Sequence, residues 1–586
     1  FKGWLPFLSI MRKQYLFEEI IFEETRRIDY SETGSLNSLT MNRILKGLIG
    51  KRLEEMGVRD ISIEFEVPKD ERFGDISTPV AMTASRLLRR PPREIAEGVI
   101  GPLHNMTIFE RVEVAGPGFI NFTFSTEFLC SEFRRLLTER ESYLRSDIGK
   151  GKKVQIEFVS ANPTGPLHLG HGRGAALGNA LSNLLKAAGY DVQREYYIND
   201  AGRQVRLLGL SVFAKYQQLV GTDYPFPEDG YRGDYIDDLA KEIADKYGDK
   251  FKGKDFEDEG DLFIDFSYKR MMDEIKRDLA DFGVLFDAYQ SERSLYDEGE
   301  VEKSIEDLKA RGHIYEKDGA IWFRATAFGD DKDRVIIKRE GDFTYFASDI
   351  AYHRKKIERG LDEIIDIWGA DHHGYIPRIR AVIRAFGYPD DQLKVLLVQM
   401  VTLLRGGRPV QMSKRAGEFV TLREVIEEIG PDTTKFIFLT RRSDSHLEFD
   451  LESVKKQTAE NPVFYVQYAN ARINSIFSHA SERGLNFFGG KDVDLFLLKT
   501  EEERRIIKKL LYYPLIFEGA VRSHEPHRIT FYLQELAGLF HPYYNRYRVV
   551  TEDKDLSIAR LALCEGVRII LREGLGILGV SMPERM

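Results

Sequence analysis

Apolar residues recur every three or four positions in "MNRILKGLIGKRLEEMG", where Ile44, Leu45, Leu48 and Ile49 share one face and predict an amphipathic helix from Met41. The period then drops to two. "DISIEFEVP" alternates as a strand, and "RVEVAGPGFINFTF" reads as two strands about a Gly-Pro-Gly turn. Gly74, Pro79 and Pro91 mark further turns. Residues 41–125 are therefore expected to form a small α+β unit. Residues 1–40 read differently, as a short apolar stretch, a charged helical stretch and the turn-rich "DYSETGSLNS", a lead-in of no assigned order.

The texture changes at Lys152. "KKVQIEFVS" is a strand and a Pro/Gly loop follows it. Ala175–Ala188 then has helical composition with Leu177, Leu181, Leu184 and Leu185 on one face, and "DVQREYYI" is a strand again. Strand, loop, helix and strand make a βαβ unit, hence a parallel sheet with a right-handed crossover. The alternation returns at "IIDIWGADHHGYIPRIRAVIRAFG" and "LKVLLVQMVTLL", so an α/β domain is expected over residues 126–451. An acidic, Tyr-rich, mostly helical stretch at about 200–325 reads as an insertion in it. From Glu452 to Met586 periodic helices dominate, which predicts an all-helical C-terminal domain.

Composition narrows the class. The chain has 586 residues, 42% hydrophobic and 31% charged, a soluble multidomain balance. No apolar run approaches the ~20 residues of a membrane span, and "GWLPFLSI" lacks a following cleavage site. Cys130 and Cys564 are the two cysteines; far apart in sequence, they fit a reducing, cytoplasmic setting and argue against a thiolate zinc site. The net charge of −9 excludes a general polycation, so any nucleic-acid surface must be a localised basic track.

The candidate chemistry lies in "ANPTGPLHLGHGRG", residues 161–174. A strand that feeds a glycine loop into a helix gathers unsatisfied N–H groups and a positive dipole end at one point. Gly165, Gly170, Gly172 and Gly174 are expected to let a ligand approach the backbone, with His168 and His171 as imidazole donors on the first turn. A phosphate chain suits that arrangement, and no Walker G-x-x-x-x-G-K-[ST] occurs here. A helix-capping role is the usual one for a single histidine, but the H-x-G-H pair at a βα junction favours a ligand.

H-x-G-H resembles the first signature of class I aminoacyl-tRNA synthetases, whose second is K-M-S-K-S. "RPVQMSKRAGEFVTL" supplies Gln411, Met412, Ser413, Lys414 and Arg415, departing at the first Lys and last Ser but keeping Lys414. The resemblance implies a Rossmann-like nucleotide-binding fold that activates an amino acid with ATP. Catalysis is then positioning and charge stabilisation by His168, His171 and Lys414, and loss of one such donor is expected to reduce the rate roughly 10²–10³-fold.

Longer segments resemble arginyl-tRNA synthetases from Met41 to Met586, among them "AGPGFINF", "EFVSANPTGPLHLGHGRGAALGNALSNLL", "YYINDAGRQ", "SLYDEGEVE", "WGADHHGYIPR" and "ILGVSMPERM". That family implies L-arginine, ATP with Mg²⁺ and tRNA(Arg) as substrates, arginyl-adenylate as intermediate, AMP and pyrophosphate as products, a monomer, and arginine activation that needs tRNA. It places Glu157 and Asn162 on the α-ammonium and polar groups of arginine, with Tyr345, Asp349 and His373 in the same pocket and Asp349 on the guanidinium. It puts Gly369 and Asp371 by the ribose, and Met400 and Val401 by the adenine. The N-terminal unit is expected to meet the tRNA corner through Phe119 and Asn121, and the helical domain its anticodon through Tyr465, Tyr468 and Arg472. Three rivals are weaker. A cysteinyl enzyme needs a Cys/His zinc site; a small nucleotidyltransferase does not need the flanking domains; a noncatalytic RNA-binding relative does not need His168, His171 and Lys414.

Overall fold

The computed structural model describes residues 41–410, 420–456 and 461–586. The Met41–Glu55 helix buries Ile44, Leu45, Leu48 and Ile49, the face its spacing predicts. Strands β1 (Ile76–Thr78), β2 (Phe109–Ala115) and β3 (Phe119–Phe124) pair antiparallel in the order β1-β3-β2. The strand expected at "DISIEFEVP" shrinks to one bridge, Glu66 to Ser77. Its neighbour β1 has only three residues to offer as a template.

A five-stranded sheet forms the centre. Its strands are β4 (Lys153–Glu157), β5 (Asp191–Ile198) and β6 (Ala288–Ser291), followed, after the short antiparallel β7 (Ile314–Lys317), β8 (Ala320–Phe323) and β9 (Arg334–Ile337), by β10 (Glu363–Gly369) and β11 (Leu393–Val398). The order is β11-β10-β4-β5-β6, with every neighbouring pair parallel. The chain runs outward from β4 through β5 to β6, then returns to β10 on the other side. The winding therefore reverses between β4 and β10, and beyond the carboxyl ends at such a reversal ligands bind. Val154, Ile156, Ile364 and Ile365 are completely buried, as strands covered on both faces require.

The stretch expected as one insertion over 200–325 is divided by β6. Before it stand three helices, Arg203–Leu219, Asp234–Tyr247 and Phe256–Asp281, around their own core of Phe213, Tyr216, Phe251 and Phe263. After it come β7–β9. The four residues of β6, "AYQS", are too few to show a period. The crossover helix Leu169–Ala187 lies tight on the sheet: a Cβ at Gly178 would stand 2.2 Å from the Phe158 ring.

Strands β12 (Val401–Arg405), β13 (Arg408–Pro409) and β14 (Leu447–Asp450) lead toward the helical domain. That domain contains Pro462–Glu482, Glu501–Leu511, Tyr513–Ser523, His527–Arg546 and Lys554–Leu578. The helix Thr126–Glu139 packs on this domain: Arg134 donates to Gly490 O at 2.8 Å, and Arg140 pairs with Glu565 at 2.9 Å. No described helix is long and apolar enough to cross a membrane.

Candidate active site

After Glu157 the chain turns through Val159 and Ser160, at φ 69° and 39°. Left-handed backbone costs about 1–3 kcal/mol per non-glycine residue and persists only where its surroundings fix it. Ser160 Oγ does so, donating to Glu157 Oε1 at 2.9 Å and accepting from Tyr197 N at 3.1 Å. The loop then reaches His168, the N-cap of the Leu169–Ala187 helix. His168 Nδ1 accepts from Gly170 N at 3.1 Å, and His168 N donates to His171 Nδ1 at 3.3 Å. The rings stack with centroids 3.6 Å apart. Because both Nδ1 atoms accept backbone protons, the neutral rings carry hydrogen on Nε2. Capping does not exclude the ligand role that the sequence suggests: Nδ1 caps the helix, and both rings stand at its positive end.

Three of the loop glycines, Gly165, Gly170 and Gly172, pack close to the protein's own side chains. A Cβ at Gly165 would stand 3.2 Å from Tyr235 Oη, at Gly170 3.0 Å from the His168 ring, and at Gly172 2.7 Å from Leu422 Cδ1. At Gly174 it would meet nothing within 4 Å. Gln411, Met412, Ser413, Lys414 and Arg415 lie outside the described residues. The residues that follow them stand beside the histidines: Thr421 bridges His168, and Leu422 N donates to Leu167 O at 2.7 Å. Along the same sheet edge, Gly369 ends β10, with Asp371 exposed in the turn after it, and Met400, 69% exposed, precedes the buried Val401.

Glu157, expected on the substrate's α-ammonium, also meets an ammonium of the chain's own. Glu157 Oε2 accepts from Lys356 Nζ and lies 3.0 Å from Tyr352 Oη. Lys356 is completely buried, two helical turns after Asp349 on Tyr345–Glu358, and also holds Asp366 Oδ1 at 2.7 Å. His353 Nε2 stands 3.1 Å from Asp366 Oδ2. Burial works against the Asp366 charge, yet Lys356 and His353 hold its carboxyl down to about 2. Burial pushes Glu157 up, with Lys356 opposing. Glu157 thus belongs to a buried charge network beneath the loop.

The acid pocket lies next to this network. Tyr375 donates its hydroxyl to Asp349 Oδ2, and burial pushes the Asp349 carboxyl up. Ser348, its neighbour, donates to Glu292 Oε1 at 2.9 Å. Glu292 opens the Glu292–Asp297 helix after β6, is 3% exposed, and is pushed up to about 7 by burial, with Asp349 adding to the shift. Tyr197 lies among them: after burial, the charges of Glu292, Asp349 and Glu157 raise its phenol. Among the described residues neither Asp349 nor Glu292 forms an ion pair with Lys or Arg. Two such carboxylates without a cation suit a planar guanidinium.

Around this pocket the expected residues divide. Tyr345 is 62% exposed at the helix start, with its ring 3.6 Å from where a Gly202 Cβ would stand. Asn162 is exposed and donates Nδ2 to Gln204 Oε1 at 2.7 Å, which turns Oδ1 away from Gln204. His373 is exposed and bonded within its own turn, 3.1 Å from Ala370 O; Tyr375, two residues on, is the side chain of that turn that reaches Asp349. Sequence reasoning missed Glu292, Tyr375 and Lys356. A Glu that opens a helix beside Arg293 has the signature of an ordinary helix start.

Of the residues expected on tRNA, Asn121 is 5% exposed and accepts from Ser77 Oγ at 2.7 Å across β3 and β1. Phe119, at the start of β3, is half-buried. Tyr465, Tyr468 and Arg472 do come together. The Arg472 guanidinium lies 4.6 Å from the ring centres of both Tyr468 and Tyr544, Tyr468 stacks on Phe464 at 5.5 Å, and Tyr465 packs at 4.4 Å on His541. All are half-buried except the buried His541.

A parallel sheet that reverses between β4 and β10, a histidine-capped crossover helix at the reversal and a helical C-terminal domain define a class I aminoacyl-tRNA synthetase. Residues 132–479 match the family described as tRNA synthetases class I (R), catalytic domain. Residues 43–124 match the Arginyl tRNA synthetase N terminal domain, and 466–586 the DALR anticodon binding domain. An arginine–tRNA ligase of Citrifermentans bemidjiense is 52% identical over 533 residues, 90% of this chain and 95% of that one. One of Listeria monocytogenes is 49% identical over 536 residues, 91% and 96% of the two chains. Among solved structures, a putative arginyl-tRNA synthetase from Campylobacter jejuni superposes with TM-score 0.72 at 36% identity, over 79% of this chain and 100% of that one. The Thermus thermophilus arginyl-tRNA synthetase, at 22% identity, shares the fold with TM-score 0.75 over 93% and 100%. The chain belongs to the arginyl-tRNA synthetase family.

Proposed function

We propose that Asp349 and Glu292 take the guanidinium of L-arginine while His168 and His171 take the phosphates of ATP, in the service of an arginine–tRNA ligase. The observation that carries this reading is a pair of carboxylates, Glu292 buried and Asp349 half-buried, neither in an ion pair with Lys or Arg among the described residues. Asn162 Oδ1 accepts from the substrate α-ammonium, and Tyr345 closes the exposed side. Gly369 and Asp371 border the ribose; Met400 and Val401 line the adenine through their backbone. ATP enters with Mg²⁺ as substrate.

With both substrates seated, a carboxylate oxygen of arginine attacks the α-phosphorus, the bond to the bridging oxygen breaks, and pyrophosphate leaves. The His168 and His171 imidazoles and the Lys414 ammonium stabilise charge on the phosphates, and no side-chain nucleophile is needed. A ribose hydroxyl at the 3′ end of tRNA(Arg) then attacks the acyl carbon and AMP leaves. Phe464, Tyr468 and Arg472 offer stacking faces to unpaired anticodon bases, and Phe119 lies on the tRNA-facing side of the N-terminal unit. The enzyme acts as a cytoplasmic monomer.

Charging of total tRNA with each amino acid in turn tests the reading. Arginine alone should be charged, and His168→Ala and Lys414→Ala should abolish it; charging of another amino acid would overturn it.

A further inference from the structure

Arg173, two residues after His171, is 2% exposed, the most voluminous side chain the described protein buries so completely. No carboxylate lies within ion-pair distance among the described residues. Its guanidinium instead holds two backbone carbonyls, Nη1 donating to Gln399 O at 2.9 Å and Nη2 to Arg442 O at 2.8 Å. Burial pulls its pKa down to about 10, with Asp444 opposing from a distance. A cation placed this way is a poor strut, since desolvation works against it and an apolar side chain of similar length would fill the space. Space is not scarce either: a cavity of about 300 Å³ lies beside it, between the β11 edge and the helical domain.

What the guanidinium does fix is a relation between two elements of the site. Gln399 follows β11 and immediately precedes Met400 and Val401; its own N–H donates to Ser443 O at 2.8 Å, in the turn that also contains Arg442. One side chain thus ties the histidine helix to both walls of the β11 exit.

We propose that Arg173 is a positioning residue for the adenine subsite: it holds the Gln399–Val401 backbone at a set distance from His168 and His171, so that the adenine and phosphates of one ATP are gripped in register. This rests on the reading that ATP lies along this sheet edge. Lysine keeps the charge but lacks the fork that serves both carbonyls at once, and glutamine serves one without charge.

The test is steady-state arginylation by Arg173→Lys and Arg173→Gln, with melting curves to follow folding. Both should melt near the parent and raise the ATP KM roughly 10- to 10²-fold with the arginine KM unchanged, Lys less than Gln. An unchanged ATP KM, a parallel rise in both KM values, or unfolding of both variants would overturn the proposal, since these describe no role or a structural one. A His168→Ala variant run alongside separates the two claims. If it is inactive while the Arg173 variants behave as the parent, only this inference fails; if it keeps parental activity, the placement of ATP itself fails.

Discussion

Ser348 gives its hydroxyl hydrogen to Glu292 Oε1 across 2.9 Å, and the next residue along the same helix is Asp349. One hydrogen bond therefore joins the short helix after β6 to the helix before β10 and sets two carboxylates into one pocket. Glu292→Gln keeps an acceptor for Ser348 and removes the charge. It is expected to raise the arginine KM by the equivalent of about 1.5–3 kcal/mol, the range for hydrogen bonds to charged groups, while the ATP KM stays put. Arginylation kinetics with each substrate varied in turn check this; equal shifts in both would place Glu292 outside the pocket.

The same carboxylate predicts a pH dependence. Burial raises Glu292 from 4.5 to about 7 in the folded protein. For a raised acid the folded state prefers the protonated form, so stability from this group is present at low pH and is lost as pH rises from 4.5 toward 7. Guanidinium binding needs the ionised form, so arginine expels the proton. Arginine affinity should fall about tenfold per pH unit below 7 and level off above it. Titration calorimetry across pH 6–8 should show this slope in the parent and lose it in Glu292→Gln.

Lys356 is the central charge of the buried network. Lys356→Met leaves Glu157 and Asp366 without their ammonium, and breaking a buried pair this way costs about 3–5 kcal/mol. Adding Asp366→Asn should recover part of that loss. Urea unfolding followed by tryptophan fluorescence reads the effect, with Trp368 in the same strand as Asp366. A single variant as stable as the parent would remove Lys356 as the organiser of Glu157.

At the crossover helix, Gly172→Ala places a methyl group 2.7 Å from Leu422. Overpacking of this kind costs about 1–3 kcal/mol. Because Leu422 stands next to Thr421, which bridges His168, the variant should lower kcat as well as the melting temperature.

In the helical domain, Tyr468→Ala removes a stacking face and the partner of the Arg472 guanidinium. Loss of a base–aromatic stack is worth about 1–3 kcal/mol. The tRNA KM should rise accordingly, with the arginine and ATP KM values unchanged. An unaltered tRNA KM would assign this cluster to packing alone.

The sequence made the central sheet legible because β4, the glycine loop and the crossover helix each have a clear local signal. Apolar Val154 and Ile156 alternate, His168 precedes a helical run, and the leucines keep one face. It hid what depends on distant residues meeting. Glu157 and Lys356 are far apart in the chain, so nothing local tells that one neutralises the other. Tyr235 and Leu422 explain Gly165 and Gly172 only once the inserted helices and the segment after the second signature are folded back. Asn121 alternated as a surface position does, yet Ser77 on β1 covers it. Glu292 gave no signal because β6 before it has only four residues.

The most direct measurement is arginylation by Asp349→Asn, which keeps shape and removes one carboxylate charge. If this carboxylate reads the guanidinium, kcat/KM for arginine falls by the equivalent of about 2–5 kcal/mol while the ATP KM is unchanged. Parental kcat/KM for arginine in a folded Asp349→Asn enzyme would contradict the account.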